Sequence, residues 1–336
     1  MKIRTPAKLI LTGEHAVVHG QSALAIAVNR YVTGNYTTSD KPIFQLNSHK
    51  LGVQTQISWQ ELEALEKKLT QKYHYFLNDE ISVDNIIGSP EQICWYAIAR
   101  CLQHASFKGD KGMTVELDAN IPIGCGMGSS AAIVVNLIYG LNQLFDLGFD
   151  DDKIFQIALE SENLQHGYSS GLDLTMSLHG GCRVAHNKKL TKEKLNYLPF
   201  QLVNTGQPDC STGECVTWVT RNFPDSHSIW QEFDTTINAL LKGLNDKNFD
   251  ECKVAIKSNH RLLDGIGVVP EKINRFIEEI EKLGGAAKVC GAGAISGSDA
   301  GMVLVTNDID IRALCYRYDF QPPFTIKNIE HGTHIV

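Results

Sequence analysis

Residues 121–139 read Ile-Pro-Ile-Gly-Cys-Gly-Met-Gly-Ser-Ser-Ala-Ala-Ile-Val-Val-Asn-Leu-Ile-Tyr, a three-glycine loop that runs straight into an apolar helix. Glycines at 124, 126 and 128 let the backbone approach an anion and aim several N–H groups at it. The helix start adds roughly half a positive charge. Ser129 and Ser130 follow at once, where a hydroxyl beside a polyphosphate suits Mg²⁺, which prefers hard oxygen ligands. Two familiar phosphate loops are excluded by letter. A Walker A loop needs Gly-Lys-Ser/Thr, and no lysine lies between Asp118 and Lys153; a dinucleotide fingerprint needs a third glycine where Ser129 stands. By itself the segment also suits a strand-to-helix turn that uses glycine only for geometry.

Three further segments gather chemistry. Residues 6–20, Pro-Ala-Lys-Leu-Ile-Leu-Thr-Gly-Glu-His-Ala-Val-Val-His-Gly, place Lys8 before a strand and Glu14 and His15 at the turn that follows. Residues 162–173 end a helix on Glu162 and bring Asp173 after a Ser-Ser-Gly turn; two carboxylates with separate duties suit phosphoryl transfer, one for Mg²⁺ and one for the attacking hydroxyl. Residues 288–297, Lys-Val-Cys-Gly-Ala-Gly-Ala-Ile-Ser-Gly, form a second glycine-rich loop, which either lines a cleft or joins a helix to the strand at Met302.

The chain of 336 residues is long enough for two domains with separate cores. A net charge of −7 argues against nucleic acid or an anionic membrane as the main partner. The start, Met-Lys-Ile-Arg-Thr-Pro, lacks the apolar run of a signal peptide or membrane helix, so a cytoplasmic protein is expected. Nine scattered cysteines without a Cys-x-x-Cys pair read as reduced packing residues with no zinc site. Helices are expected at about 58–73, 89–104, 152–164, 228–245, 250–263 and 271–283. Strands are expected from Lys2 to about Tyr36 and at 113–117, 200–204 and 302–305, with a crossing between domains at the polar stretch 185–189. The mixture is α+β, without regular βαβ alternation.

Taken together and in this order, the segments resemble the GHMP kinase superfamily, and Gly13-Glu14-His15-Ala16-Val17-Val18-His19-Gly20 is similar to its mevalonate branch. The resemblance implies a two-domain GHMP kinase fold: an N-terminal ATP-binding domain resembling ribosomal protein S5 domain 2 (1–185) and a ferredoxin-like C-terminal domain (186–336). It implies ATP and Mg²⁺ as cofactors, a small-molecule acceptor, and a homodimer. Carried over by position, Gly124, Cys125, Gly126, Met127, Gly128, Ser129, Ser130 and Ala131 wrap the ATP phosphates. Ser130 and Glu162 hold Mg²⁺, with Ser129 a rival for the first role. Asp173 is the catalytic carboxylate and Lys8 its partner, while Glu14, His15, Thr212, Gly291, Ala292 and Gly293 face the acceptor. The implied reaction is phosphorylation of the 5-hydroxyl of mevalonate.

Three departures bear on the acceptor. The second glycine loop continues Ala294-Ile295-Ser296 where the family has further glycines, Cys210 stands where an arginine is common, and Ser169 replaces the usual proline. A small residue at 210 also suits phosphomevalonate kinases, although their first motif reads Gly-Glu-Tyr in place of Gly-Glu-His. The first segment lacks the Arg-x-Asn-Leu-x-Gly-Glu-His pattern of sugar kinases, and Lys8 with Glu14-His15 disfavours a diphosphomevalonate decarboxylase. A non-catalytic sensor of this fold would be expected to have lost at least one of Lys8, Ser130, Glu162 and Asp173.

Overall fold

The computed structural model describes residues 1–50, 52–187, 189–195 and 198–336. The first part runs β1 (Lys2–Thr12), a short 3-10 turn (Ala16–His19), β2 (Ala23–Ser39), β3 (Ile43–Ser48), β4 (Val53–Ser58), α1 (Trp59–Leu77), α2 (Glu91–His104) and β5 (Gly112–Ala119). It continues with α3 (Ser129–Leu144), α4 (Asp151–His166), α5 (Leu172–His179), β6 (Cys182–His186) and β7 (Lys189–Glu193). The second part holds β8 (Phe200–Asn204), α6 (Thr212–Asn222), α7 (Ile229–Asp246), α8 (Phe249–Gly265), α9 (Glu271–Lys282), β9 (Ala287–Val289), β10 (Met302–Thr306), α10 (Arg312–Arg317), β11 (Phe324–Thr325) and β12 (His334–Ile335).

Among the described residues the strands form two sheets. The larger has the order β12-β1-β2-β5-β3-β4, with β6 on the first half of β2 and β7 on β6. Its pairings are antiparallel except β3 with β5. The smaller sheet, β11-β8-β10-β9, is wholly antiparallel. Apolar residues of β1 and β2, such as Leu9, Leu11, Leu24 and Ile26, pack beneath α2 and α3 in one core. A second core fills the space among α8, α9, β9 and β10. Helix α3 is apolar nearly all round because it lies between the sheet and α2, α4 and α5.

The polar stretch 185–189, expected to cross between the domains, is the tip of the β6–β7 hairpin on the larger sheet, with Lys188 outside the described residues. Ala185 buries against β2 while Asn187, at φ 47°, makes the turn, and the chain reaches the smaller sheet at β8. The C-terminal strand then returns to the larger sheet, pairing Ile335 with Ile3. All nine cysteines are free, and only Cys210 is not buried. No helix among the described residues is long and apolar enough to cross a membrane.

Candidate active site

Lys8 lies on β1, and its backbone N–H donates to the Met127 carbonyl at 3.1 Å, which fastens the strand to the glycine loop. Its ammonium is 3.1 Å from Asp173 Oδ1, with the lysine side chain 7% exposed and the aspartate 35%. The pair is therefore closed on the lysine side and open on the carboxylate side. Asp173 stands in the first turn of α5, where the helix dipole favours an anion. Gly128 sits against both. It has φ +66°, and a Cβ there would lie 2.9 Å from Lys8 Cγ and 3.2 Å from Asp173 Oδ2. Gly128→Ala is accordingly expected to strain the loop by about 1–2 kcal/mol and to push the pair apart. A displacement of that kind lowers kcat by about 100-fold, and steady-state kinetics beside a melting curve would separate the two effects.

Gly128 is also the N-cap of α3. It has no side chain to offer, and no acidic residue occupies the first turn. Helices α1, α4, α6 and α8 close their first turns with the side chains of Ser58, Asp150, Ser211 and Asn248. The first N–H groups of α3 are left for an anion. Cys125 and Met127 turn their side chains inward, the Cys125 thiol donating to the Ile123 carbonyl at 3.4 Å, and Ala131 is buried in the core. Gly126 meets the second glycine loop directly, since a Cβ on Gly291 would be 3.1 Å from Gly126 Cα. The glycine loop 124–128 and the loop 291–297 thus form adjoining walls.

Ser130 Oγ is 2.6 Å from Glu162 Oε1 and 2.7 Å from Gln165 Oε1. Glu162 is buried, and His166, one turn further along α4, stands 3.5 Å from its second oxygen. Burial works against a charged His166 ring, but the hydrogen bond and charge of Glu162 outweigh it and raise the imidazole above its ordinary range. No group of three or more His, Cys, Asp or Glu side chains suited to a metal occurs among the described residues. A hydroxyl, a carboxylate and an amide oxygen at one point fit Mg²⁺, which takes few protein ligands and completes its shell with water and phosphate. Ser129 is half-buried as the first residue of α3.

The Gly-Glu-His turn packs against the second part of the chain. His15 Nε2 donates to the Ala292 carbonyl at 2.9 Å, and burial lowers the imidazole below its ordinary range. Glu14 forms an ion pair with Lys288 of β9, both fully enclosed. Burial pushes the Glu14 carboxyl upward, against the charge and hydrogen bond of Lys288. Glu14 Oε2 has no hydrogen-bond partner among the described residues. Thr212 is exposed as the first residue of α6, and no hydrogen bond or ion pair among the described residues joins it to the Lys8–Asp173 pair. Lys288, Gln165 and His166 carry no assigned role in the sequence. The signals for them are a lysine in the buried strand Ala287–Val289 and two polar residues at i+3 and i+4 from Glu162.

His260 of α8 is buried and feels the Lys288 charge, and burial pushes its imidazole down to about 4 from 6.5. A folded-state value below the unfolded one means that the unfolded chain binds the extra proton. Stability is therefore intact above pH 6.5 and is lost as pH falls toward 4, by about 3 kcal/mol at the lower end. Urea midpoints for wild type and His260→Gln across that window are expected to converge as the pH drops.

Residues 92–181 match the family model described as "GHMP kinases N terminal domain". The chain is 28% identical over 304 residues to a mevalonate kinase of Thermococcus onnurineus (strain NA1), covering 86% of this chain and 85% of that protein. It is 29% identical over 304 residues to the mevalonate kinase of Thermococcus gammatolerans, with the same 86% and 85% coverage. The crystal structure of the Methanococcus jannaschii mevalonate kinase superposes with a TM-score of 0.80 at 24% identity, covering 98% of both chains. With the glycine loop at the start of α3, the Lys8–Asp173 pair beside it and the fold shared end to end, the chain has the GHMP kinase fold, and its residues 92–181 are similar to the N-terminal domain of that family.

Proposed function

We propose that the chain transfers the γ-phosphoryl group of ATP to the 5-hydroxyl of mevalonate, yielding 5-phosphomevalonate and ADP. The observation that carries this reading is the Lys8–Asp173 pair in contact with Gly128 of the phosphate loop. A hydroxyl placed at the open side of Asp173 can pass its proton to the carboxylate while Lys8 balances the charge that develops on the nucleophile. The uncapped start of α3 takes the phosphates, with residues 124–131 around them. Ser130 and Glu162 hold Mg²⁺ in this reading, and the ion neutralises phosphate charge. Phosphoryl transfer asks mainly for position and charge, which these groups supply.

Glu14, His15, Thr212, Gly291, Ala292 and Gly293 form the acceptor side. His15 tied to Ala292 joins the first motif to the second glycine loop, so the acceptor is held by both parts of the chain. The ATP-binding part is residues 1–185, to which the hairpin arm 189–193 and the C-terminal strand add edges, and the rest of 186–336 closes the other side. The proposal carries with it a cytoplasmic enzyme acting on small molecules, with neither nucleic acid nor membrane as partner, and a homodimer as in the family resemblance. The test is ADP release with Mg-ATP and mevalonate, phosphomevalonate or galactose in turn. Turnover on mevalonate alone supports the reading, whereas preference for phosphomevalonate reassigns the acceptor.

A further inference from the structure

The loop 291–297 is held from behind by two thiols. Cys210 lies one residue before Ser211, the N-cap of α6, and Cys215 sits one turn inside the helix. Their sulfurs are 3.2 Å apart and unbonded, about 1 Å beyond a disulfide bond length. Each also touches the loop. The Cys215 thiol donates to the Gly293 carbonyl at 3.7 Å, and the Ile295 N–H donates to Cys210 Sγ at 3.4 Å. The same loop meets the phosphate loop at Gly126 and Gly291. Cys210 is half-buried while the other eight cysteines are enclosed, so an oxidant reaches this pair through Cys210.

We propose that Cys210 and Cys215 form a reversible disulfide that releases the 291–297 loop from α6 and thereby lowers turnover. With hydrogen peroxide as oxidant, the Cys210 sulfur attacks one peroxide oxygen, the O–O bond breaks, and a sulfenic acid and one water result. The Cys215 sulfur then attacks Cys210 Sγ, the S–S bond forms and the S–O bond breaks. The departing hydroxide takes the Cys215 proton and leaves as a second water, so two thiols are oxidised and one peroxide is reduced. Burial, with the neighbouring Cys210, pushes the Cys215 thiol up to about 12, which assigns the first step to Cys210 and the resolving step to Cys215. The bond removes the S–H donor from the Gly293 carbonyl and draws Cys210 Sγ away from the Ile295 N–H, so both ties to the loop are lost.

The test is peptide mass analysis of the full chain after peroxide treatment and alkylation. Trypsin releases residues 195–221 as one peptide that contains both cysteines and no other. The expected result is a peptide two hydrogens lighter than its reduced form and free of alkyl label, with turnover down about tenfold, consistent with roughly one hydrogen bond's worth of energy. Dithiothreitol restores both. Cys210→Ser forms no such peptide, and whatever turnover it retains withstands peroxide. Two fully alkylated cysteines after treatment would overturn the proposal; a complete disulfide with unchanged turnover would overturn its link to the loop. The mass readout requires no acceptor, so it stands apart from the assignment of the substrate.

Discussion

Asp173→Ala is expected to lower kcat by about 1,000-fold while leaving ATP binding within a few-fold of wild type, in line with the usual contribution of a positioned acid–base group. Asp173 Oδ1 is occupied by Lys8, whereas the groups proposed to take the phosphates are backbone N–H groups at the start of α3 that the substitution does not remove. Nucleotide affinity and chemistry should therefore separate. Nucleotide titration by calorimetry, beside steady-state kinetics, reads both. A parallel fall in nucleotide affinity would place Asp173 among the phosphate-binding groups and remove it from the acceptor.

The second large effect falls on stability. Lys288→Met leaves the Glu14 carboxylate fully enclosed without its cation, and breaking a buried pair from one side costs about 3–5 kcal/mol. The double variant Lys288→Met/Glu14→Gln is expected to recover most of that loss, because a neutral pair in the same space carries no unmatched charge. The sign with pH is also fixed. In the single variant burial raises the Glu14 pKa with no Lys288 charge to oppose it, so the penalty is present at neutral pH and shrinks as pH falls through the raised value. Urea midpoints of the three proteins at pH 7 and pH 5 would show it. Equal losses in single and double variants would mean that packing of the lysine stem, and not charge, holds the turn.

The parts of the site that were legible in the sequence are those in which backbone geometry and chemistry coincide. The loop 121–132 announces itself because three glycines precede an apolar helix, and all three take positive φ. Lys8, Ser130, Glu162 and Asp173 are carried by position in motifs, and the fold brings Lys8 to Asp173 and Ser130 to Glu162. The long helices and the strands β5, β8 and β10 follow from apolar period. The β3–β4 hairpin does not, because β4 reads Val-Gln-Thr-Gln-Ile-Ser and buries no residue fully. Helix α6 was open to detection by its capping box, Ser211 with Glu214, but its apolar stripe is thin, with only Cys215 and Val219 buried. The Lys288–Glu14 pair joins residues 274 apart in sequence, and no local pattern announces such a pairing.

The central claim is best tested by following the transferred group itself. The chain would be incubated with Mg-ATP and mevalonate, and the product examined by proton-coupled ³¹P spectroscopy. The account predicts ADP together with one new phosphomonoester whose signal is split by a single methylene, as required for the primary 5-hydroxyl. ATP left intact beside mevalonate, or ATP consumed only when phosphomevalonate is supplied, with a diphosphate formed in place of a monoester, would contradict it.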